Sequence, residues 1–266
     1  MPLGQNAAEM AAAELFRARQ EFTRIDTLPK SCRPQTASDG YAVQSALVDK
    51  LLRVGGAHHL GYKIGATNAA ARDMLGTDEA FAGHLISTYC HVSPMTVRGS
   101  DFHVVVLEPE IAVRLGRDLP ASEAPFTPET VAAAVEAVAP AIEIVSSPFP
   151  VWNEAGIGNI IGDNGANALW VHGEFSTDFG SLDLVEHPVS LSVNGKTVRE
   201  GAGRNVDGGP MVVLAWLANF LASTGGALKS GDLVTTGSTT QPFVGGASQK
   251  VVADFGTLGQ CHLNIE

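Results

Sequence analysis

Between Val104 and Gly116 the chain reads "VVVLEPEIAVRLG", an apolar run with two carboxylates, Glu108 and Glu110, in its middle. Residues two apart in a strand share a face, so both glutamates project together, roughly 6–7 Å apart at Cα. On a half-buried face each ionised carboxylate loses several kcal/mol of solvation, and the pair repels. A second apolar run, "AIEIVSS", sets Glu143 in the same predicament. Positive charge has to stand where these strands meet. Three carboxylates from two strands suit a hard divalent cation such as Mg2+ or Mn2+, which takes oxygen ligands and keeps positions open for water or substrate. Zinc calls for His or Cys at ligand spacing, which neither run offers. The alternative is a solvated sheet face on which the glutamates pair with Lys63, Arg72, Arg98 or Arg114. Pro109, with no N–H to give, favours an edge strand.

The remaining bulk properties narrow the partners. At 266 residues the chain is long enough for one large domain, or for one with a small N-terminal appendage. A formal net charge of -11 argues against nucleic acid and against an anionic membrane surface, both of which are held by clustered Lys and Arg. It leaves room for a locally positive site that takes a small anionic molecule. Cys32, Cys90 and Cys261 are odd in number and far apart, so no disulfide framework is expected and the cytoplasm is the expected compartment. The N-terminal stretch has no basic leader region and reads as an amphipathic helix rather than a signal peptide. No window approaches the roughly 18 apolar residues of a membrane span.

Along the chain, helices are expected over about 7–24 and from an N-cap at Ser38 or Asp39 to the Gly55–Gly56 stop. "HHLGYKIGATN" reads as a short strand entering a loop, and residues 72–100 as a long loop, functional or mobile. "FTPETVAAAVEAVAP" carries the signals of a helix, with Thr127 as N-cap, Pro128 at N1 and Pro140 as its stop. Beyond it come a hairpin around Asn194–Gly195, a buried helix closed by Gly225, and further strands. The expectation is two helices in front of a mixed, strand-rich body with two further helices. Residues 1–60 then form an N-terminal helical subdomain and 61–266 the catalytic body.

Five segments, "GYKIGATN", "LEPEIAVRLGRDLP", "PAIEIV", "IGDNGANALWVHG" and "GGPMVVLAWLANFLASTGGALKSGDLVTTGS", stand in a familiar order. Their arrangement resembles the 2-keto-4-pentenoate hydratases and the related 4-oxalocrotonate decarboxylases of the fumarylacetoacetate hydrolase superfamily, from about residue 36 to the C-terminus. The resemblance implies an α+β fold built on a mixed β-roll, a Mg2+ or Mn2+ ion on Glu108, Glu110 and Glu143, and homo-oligomers, with association with a neighbouring pathway enzyme as a further option. It implies a small-molecule substrate, a 2-hydroxy-2,4-dienoate or 2-oxo-alkenoate from aromatic catabolism. Lys63 matches the family lysine at the substrate carboxylate and enol oxygen. Asp163 and Asn164 match an Asp-Asn pair that orients water or a substrate oxygen, although both residue types also favour turns. Thr236, Gly237 and Ser238 would hold the substrate carboxylate, with a plain strand-end turn as the competing view.

The chemistry agrees with this. A 2-oxo acid chelates a divalent ion through a carboxylate oxygen and its C2 oxygen, and the ion then stabilises the enolate. Hydration of a dienol is the expected reaction. Decarboxylation of a 2-oxo-diacid and C–C hydrolysis of an acylpyruvate-like compound are alternatives, because they pass through the same kind of enolate. A non-catalytic partner subunit is disfavoured by retention of all three glutamates. Two departures from the hydratase pattern stand out. Phe81 falls where many relatives carry an acid, with Asp78 and Glu79 out of register, and Gly165 and Ala166 replace a hydroxyl residue. His58, His59, His84 and His91 are candidate acid–base groups. "GIGNIIGDNG" is no dinucleotide loop, since a strand-like run follows where a helix N-terminus is needed.

Overall fold

In the computed structural model, which describes residues 2–266, the glutamate-bearing run is a ten-residue strand, Val106–Leu115. The first half of the chain runs through α1 (Gln5–Glu21), α2 (Ala37–Leu51), β1 (His59–Gly65), α3 (Ala69–Leu75), β2 (Phe81–Ile86), β3 (Cys90–Val92), β4 (Met95–Val97), β5 (Val106–Leu115), α4 (Pro128–Ala132) and β6 (Val135–Val145). The second half adds α5 (Ile157–Gly162), β7 (Asn167–His172), β8 (Pro188–Val193), β9 (Lys196–Ala202), α6 (Pro210–Ser223), β10 (Leu233–Ser238), β11 (Phe243–Val244), β12 (Gln249–Asp254) and β13 (Gln260–Ile265). One sheet has the order β2-β1-β10-β5-β6-β7-β3, with β11 also pairing β5; the other has the order β4-β13-β12-β8-β9.

The β5–β6 ladder organises the molecule. These strands pair antiparallel from Val106↔Val145 to Leu115↔Val135, and alternation gives the pair two distinct faces. Leu107, Ile111 and Val113, with Val138, Ile142 and Ile144, join the main core shared with the second sheet and α6. The opposite face carries Ala112, Ala139 and Ala141, which cluster with Leu85 of β2 and Trp170 of β7. A cluster that draws on β2, β5, β6 and β7 means that the sheet curls until strands near its two edges share an interior. The short alanine side chains leave room inside, and Glu108, Glu110 and Glu143 stand on that same face.

In α1, Ala8, Ala11 and Leu15 pack against Val43, Leu47 and Leu51 of α2, and the cluster closes on Ile86 and Phe149. A capping box between Thr36 and Asp39 starts α2, so Asp39 is the third helical residue rather than the cap itself. Where α2 crosses α5 the backbones touch: a Cβ at Gly40 would lie 2.7 Å from the Gly158 carbonyl. Among the described residues no helix is long and apolar enough to cross a membrane.

Four expectations are corrected. Residues 72–100 are not one loop, since they contain the end of α3 and the strands β2, β3 and β4. The two latter strands are three residues long and pair with β7 and β13, partners far away in the sequence. The helix expected up to Pro140 stops at Ala132, and β6 begins at Val135. Pairing along the whole of β5, with both faces of β6 buried, overrides the helix propensity of its alanines. Pro140 fits because its carbonyl accepts from Gly173 N–H just past the end of β7, so its missing donor falls off the ladder. Likewise β5 is central rather than an edge. The carbonyl of Pro109 accepts from Thr239, which shows that its donor-free nitrogen faces the irregular end of β10. Finally, "IGNIIG", inside the glycine-rich stretch rejected as a dinucleotide loop, is not irregular but forms the short helix α5.

Candidate metal centre

Register alone brings the three glutamates together. Glu108 stands directly opposite Glu143 across the β5–β6 ladder, and Glu110 lies two residues along the same face. One carboxylate oxygen from each lies within 4.8 Å of the others. Glu110 and Glu143 are fully buried, and Glu108 is half-buried. Lys63 arrives from β1: it pairs with Thr235, which pairs with Ala112, so all three share the glutamates' face. Its Nζ lies 3.2 Å from Glu143 Oε1 and donates to the Gly165 carbonyl at 3.1 Å. The lysine stem threads past Gly83, where a Cβ would approach Lys63 Cγ to 2.9 Å.

The other contacts divide each of the two fully buried carboxylates into an occupied and a free oxygen. Glu110 Oε2 accepts from the Thr235 hydroxyl and from Gly237 N–H at 3.0 Å. A register shift in β10 between Thr235 and Ser238 turns that N–H out of the ladder and toward the carboxylate. Gly237 sits at φ +102, and a Cβ there would meet Thr67 Oγ1 at 1.9 Å, so no other residue fits. Glu143 Oε1 accepts from Asn167 Nδ2 at 2.8 Å as well as facing Lys63. Glu110 Oε1 and Glu143 Oε2 are buried with no hydrogen-bond partner in the protein. Buried charged oxygens without partners are rare and costly.

Lys63 is one charge against three. Burial, and then Glu143, push the Glu108 carboxyl up to about 7, against the pull of Lys63. Glu110 is raised well above the ordinary range by burial, then by Glu143 and Glu108. For Lys63, burial favours the neutral amine, but Glu143, Glu110 and Glu108 together outweigh it and hold the ammonium above its usual value. A divalent cation would supply the missing charge. The donor set of hard carboxylate oxygens, two of them unpartnered, fits such an ion.

A cavity of about 130 Å3 opens over this cluster, lined by Lys63, Glu108, Thr67, Gly237, Ser238 and Gln241 on its polar side. Phe81, Met74, Val145, Trp152 and Ile160 form its apolar wall. The Phe81 ring lies 5.4 Å from Lys63 Nζ, a cation–π contact. A larger cleft of about 380 Å3, near Phe22 and His103, gathers no carboxylate cluster.

Several expected site residues lie elsewhere. Asp163 is fully buried but lines no part of the cavity; Arg19 takes one of its oxygens and the Ser147 hydroxyl the other. The Asn164 amide is spent on the backbone of His84, donating to its carbonyl and accepting from its N–H. Thr236 donates its hydroxyl to the Ile111 carbonyl. These side chains hold the walls of the site rather than face a ligand, whereas Gly237 and Ser238 do line the cavity. None of His58, His59, His84 and His91 lines it either. His59 and His84 pair on the opposite side of β1 and β2, 3.0 Å apart, with His84 lowered to about 4 by burial and by its neighbour. Sequence reasoning missed Asn167, Thr67 and Trp152. "DNGAN" does contain Asn167, but only pairing with β6 shows that it reaches Glu143.

The family described as Fumarylacetoacetate (FAA) hydrolase C-terminal matches residues 52–265. The chain is 31% identical over 256 residues to a 2-keto-4-pentenoate hydratase of Paraburkholderia xenovorans, covering 96% of this chain and 91% of the relative. It is 29% identical to a 2-hydroxyhexa-2,4-dienoate hydratase of Comamonas testosteroni, covering 97% of each. Among solved structures it is similar to the 4-oxalocrotonate decarboxylase of Pseudomonas putida G7, complexed with magnesium and adipate, with TM-score 0.91, 23% identity and 99% of each chain covered. A fumarylpyruvate hydrolase from Pseudomonas aeruginosa, in complex with Mn2+ and pyruvate, matches with TM-score 0.60, 14% identity, and 78% of this chain and 89% of that one covered. At those identities the two structures speak to the fold.

Proposed function

This chain belongs to the fumarylacetoacetate hydrolase C-terminal family, and from that premise we propose that it is a divalent-metal-dependent lyase that adds water to a 2-hydroxy-2,4-dienoate in aromatic-compound catabolism. The observation that carries the reading is the pair of buried, unpartnered oxygens, Glu110 Oε1 and Glu143 Oε2, clustered with Glu108, which lines the cavity together with Lys63. Glu108, Glu110 and Glu143 hold the ion, and Asn167, Thr235 and Gly237 keep the two buried carboxylates aimed. When bound, Mg2+ or Mn2+ supplies Lewis acidity toward the carboxylate and C2 oxygen of a 2-oxo acid. Lys63 has three N–H donors; Glu143 and Gly165 take two, leaving one for a substrate oxygen. Ser238 and the turn that follows it border the substrate carboxylate. Phe81, Val145 and Trp152 keep water from the dienoate tail.

That wall also separates hydration from decarboxylation of a diacid. Lys63 is the single cationic side chain lining the cavity among the described residues, and Arg72 nearby is committed to Asp207 at 2.7 Å. A second carboxylate at the tail would meet no partner and lose solvation. An uncharged tail fits. The test is product analysis with 2-hydroxypenta-2,4-dienoate and with an oxalocrotonate-type diacid, with Mn2+ present or removed by EDTA. The reading predicts gain of one water on the monoacid, dependent on the metal. Faster release of CO2 from the diacid, or full activity in verified metal-free protein, would overturn it. We further place the enzyme in the cytoplasm as a homo-oligomer. The oligomer is what the family resemblance implies, and a solution mass equal to one chain would count against it. A pathway enzyme that co-elutes would supply the heteromeric association named above as a further option.

A further inference from the structure

We infer that Arg19, on the N-terminal helix α1, is a positioning residue for the Lys63–Glu143 pair, acting through the turn at residues 163–167. This turn is unusual. Asn164, Gly165 and Ala166 have φ values of 55, 67 and 56 in succession, all in the left-handed region that only glycine enters freely. Such a backbone persists where its surroundings over-determine it. Its inner side serves the site directly: the Gly165 carbonyl accepts from Lys63 Nζ at 3.1 Å, and Asn167 Nδ2 donates to Glu143 Oε1 at 2.8 Å.

Its outer side is gripped by one guanidinium. Arg19 Nε donates to Asp163 Oδ1 at 3.0 Å, Nη2 to the Asp163 carbonyl at 2.8 Å, and Nη1 to the Asn167 carbonyl at 3.0 Å. The three donors bracket both ends of the left-handed stretch. Asp163 is buried and held at its other oxygen by the Ser147 hydroxyl at 2.7 Å, so the anchor is itself fixed. The chain of contact therefore runs from α1 through the guanidinium and the turn to the lysine and a metal-binding carboxylate. A guanidinium is a planar fork with fixed donor directions, which a lysine does not reproduce. Lysine at position 19 would neutralise Asp163 but could not tie both carbonyls. The consequence for the ion rests on the metal-site reading above; the consequence for the turn does not.

The experiment uses full-length wild type, Arg19→Lys and Leu15→Ala, with two readouts: Mn2+ affinity by EPR and hydrogen exchange of a peptide covering residues 163–169. Leu15 is fully buried in the α1–α2 packing and makes none of the contacts to the turn described above. Arg19→Lys is expected to speed exchange in the turn and to weaken Mn2+ binding roughly 10–100-fold, the range for residues that orient metal ligands. Leu15→Ala is expected to melt earlier while leaving both readouts at wild-type values in the folded protein. Wild-type readouts in Arg19→Lys would overturn the inference. So would equal losses in Leu15→Ala, because helix docking rather than the guanidinium would then be responsible. If Arg19→Lys does not fold, Asp163→Asn replaces it with the same expected direction. If the wild type binds no Mn2+, the metal reading falls and the exchange readout alone decides the role of Arg19.

Discussion

At the scale of single residues, the carboxyl of Glu108 connects the site to pH. Burial and Glu143 raise it to about 7 in the ion-free protein, and Glu110 rises further in the same direction. Their unfolded values are about 4.3. The folded state therefore holds more protons than the unfolded one between these limits, and stability contributed by these groups falls as pH rises through about 7. A divalent ion favours the ionised form, so its binding strengthens over the same rise. At one hundred times its Kd an ion adds about 2.7 kcal/mol. At about 2–4 °C per kcal/mol for a chain near this size, Mn2+ is expected to raise Tm by roughly 5–10 °C at pH 8 and by clearly less at pH 5.5. Differential scanning fluorimetry reads both, and an equal gain at the two pH values would contradict the account. The glutamates were legible from the sequence because carboxylates in apolar strands are anomalous wherever they occur. Asp163 was legible only as a motif. Its partner Arg19 is 144 residues away, and nothing local predicts that they meet.

At the scale of elements, the decisive misreading was the segment 127–139. Its cap signals are real, and Thr127 and Pro128 do open a helix, but the helix ends after five residues. Of the alanines that look helical, only Ala137 and Ala139 belong to β6, and Ala139 clusters with Ala141 on its inward face, where short side chains leave room inside the rolled sheet. Their role depends on β5, which local propensity does not see. By contrast the hairpin at Asn194–Gly195, with both residues at positive φ, was readable from two letters. The two faces of β6 should separate in experiment. Ile142→Ala, on the core face and fully buried, is expected to cost roughly 2–5 kcal/mol of stability in chemical unfolding. Mn2+ affinity of the folded fraction should stay unchanged, because the site lies on the other face. A large loss of affinity in that variant would mean that the faces are not independent.

At the scale of the whole molecule, curling of the sheet places residues from β1, β5, β6 and β10, and the turn before β7, around one small cavity with a single positive wall and an apolar end. The fold class was readable through its resemblance, whereas the closeness of α1 to the site was not. The proposed selectivity for an uncharged tail rests on that layout and should then be open to change at the rim. Met74 lines the cavity and is 45% exposed. Met74→Arg should therefore improve kcat/KM for a diacid relative to a monoacid by a few-fold, the ~0.2–1 kcal/mol of an exposed ion pair. An unchanged ratio from competition kinetics would place the tail elsewhere. The most direct measurement is anomalous diffraction at the manganese edge from crystals grown with Mn2+ and oxalate. The account predicts one strong peak among the oxygens of Glu108, Glu110 and Glu143 at about 2.1 Å, the usual distance for a small hard cation, with oxalate completing its shell toward Lys63. No peak at that position, with the three carboxylates turned apart onto separate cationic side chains, would contradict it.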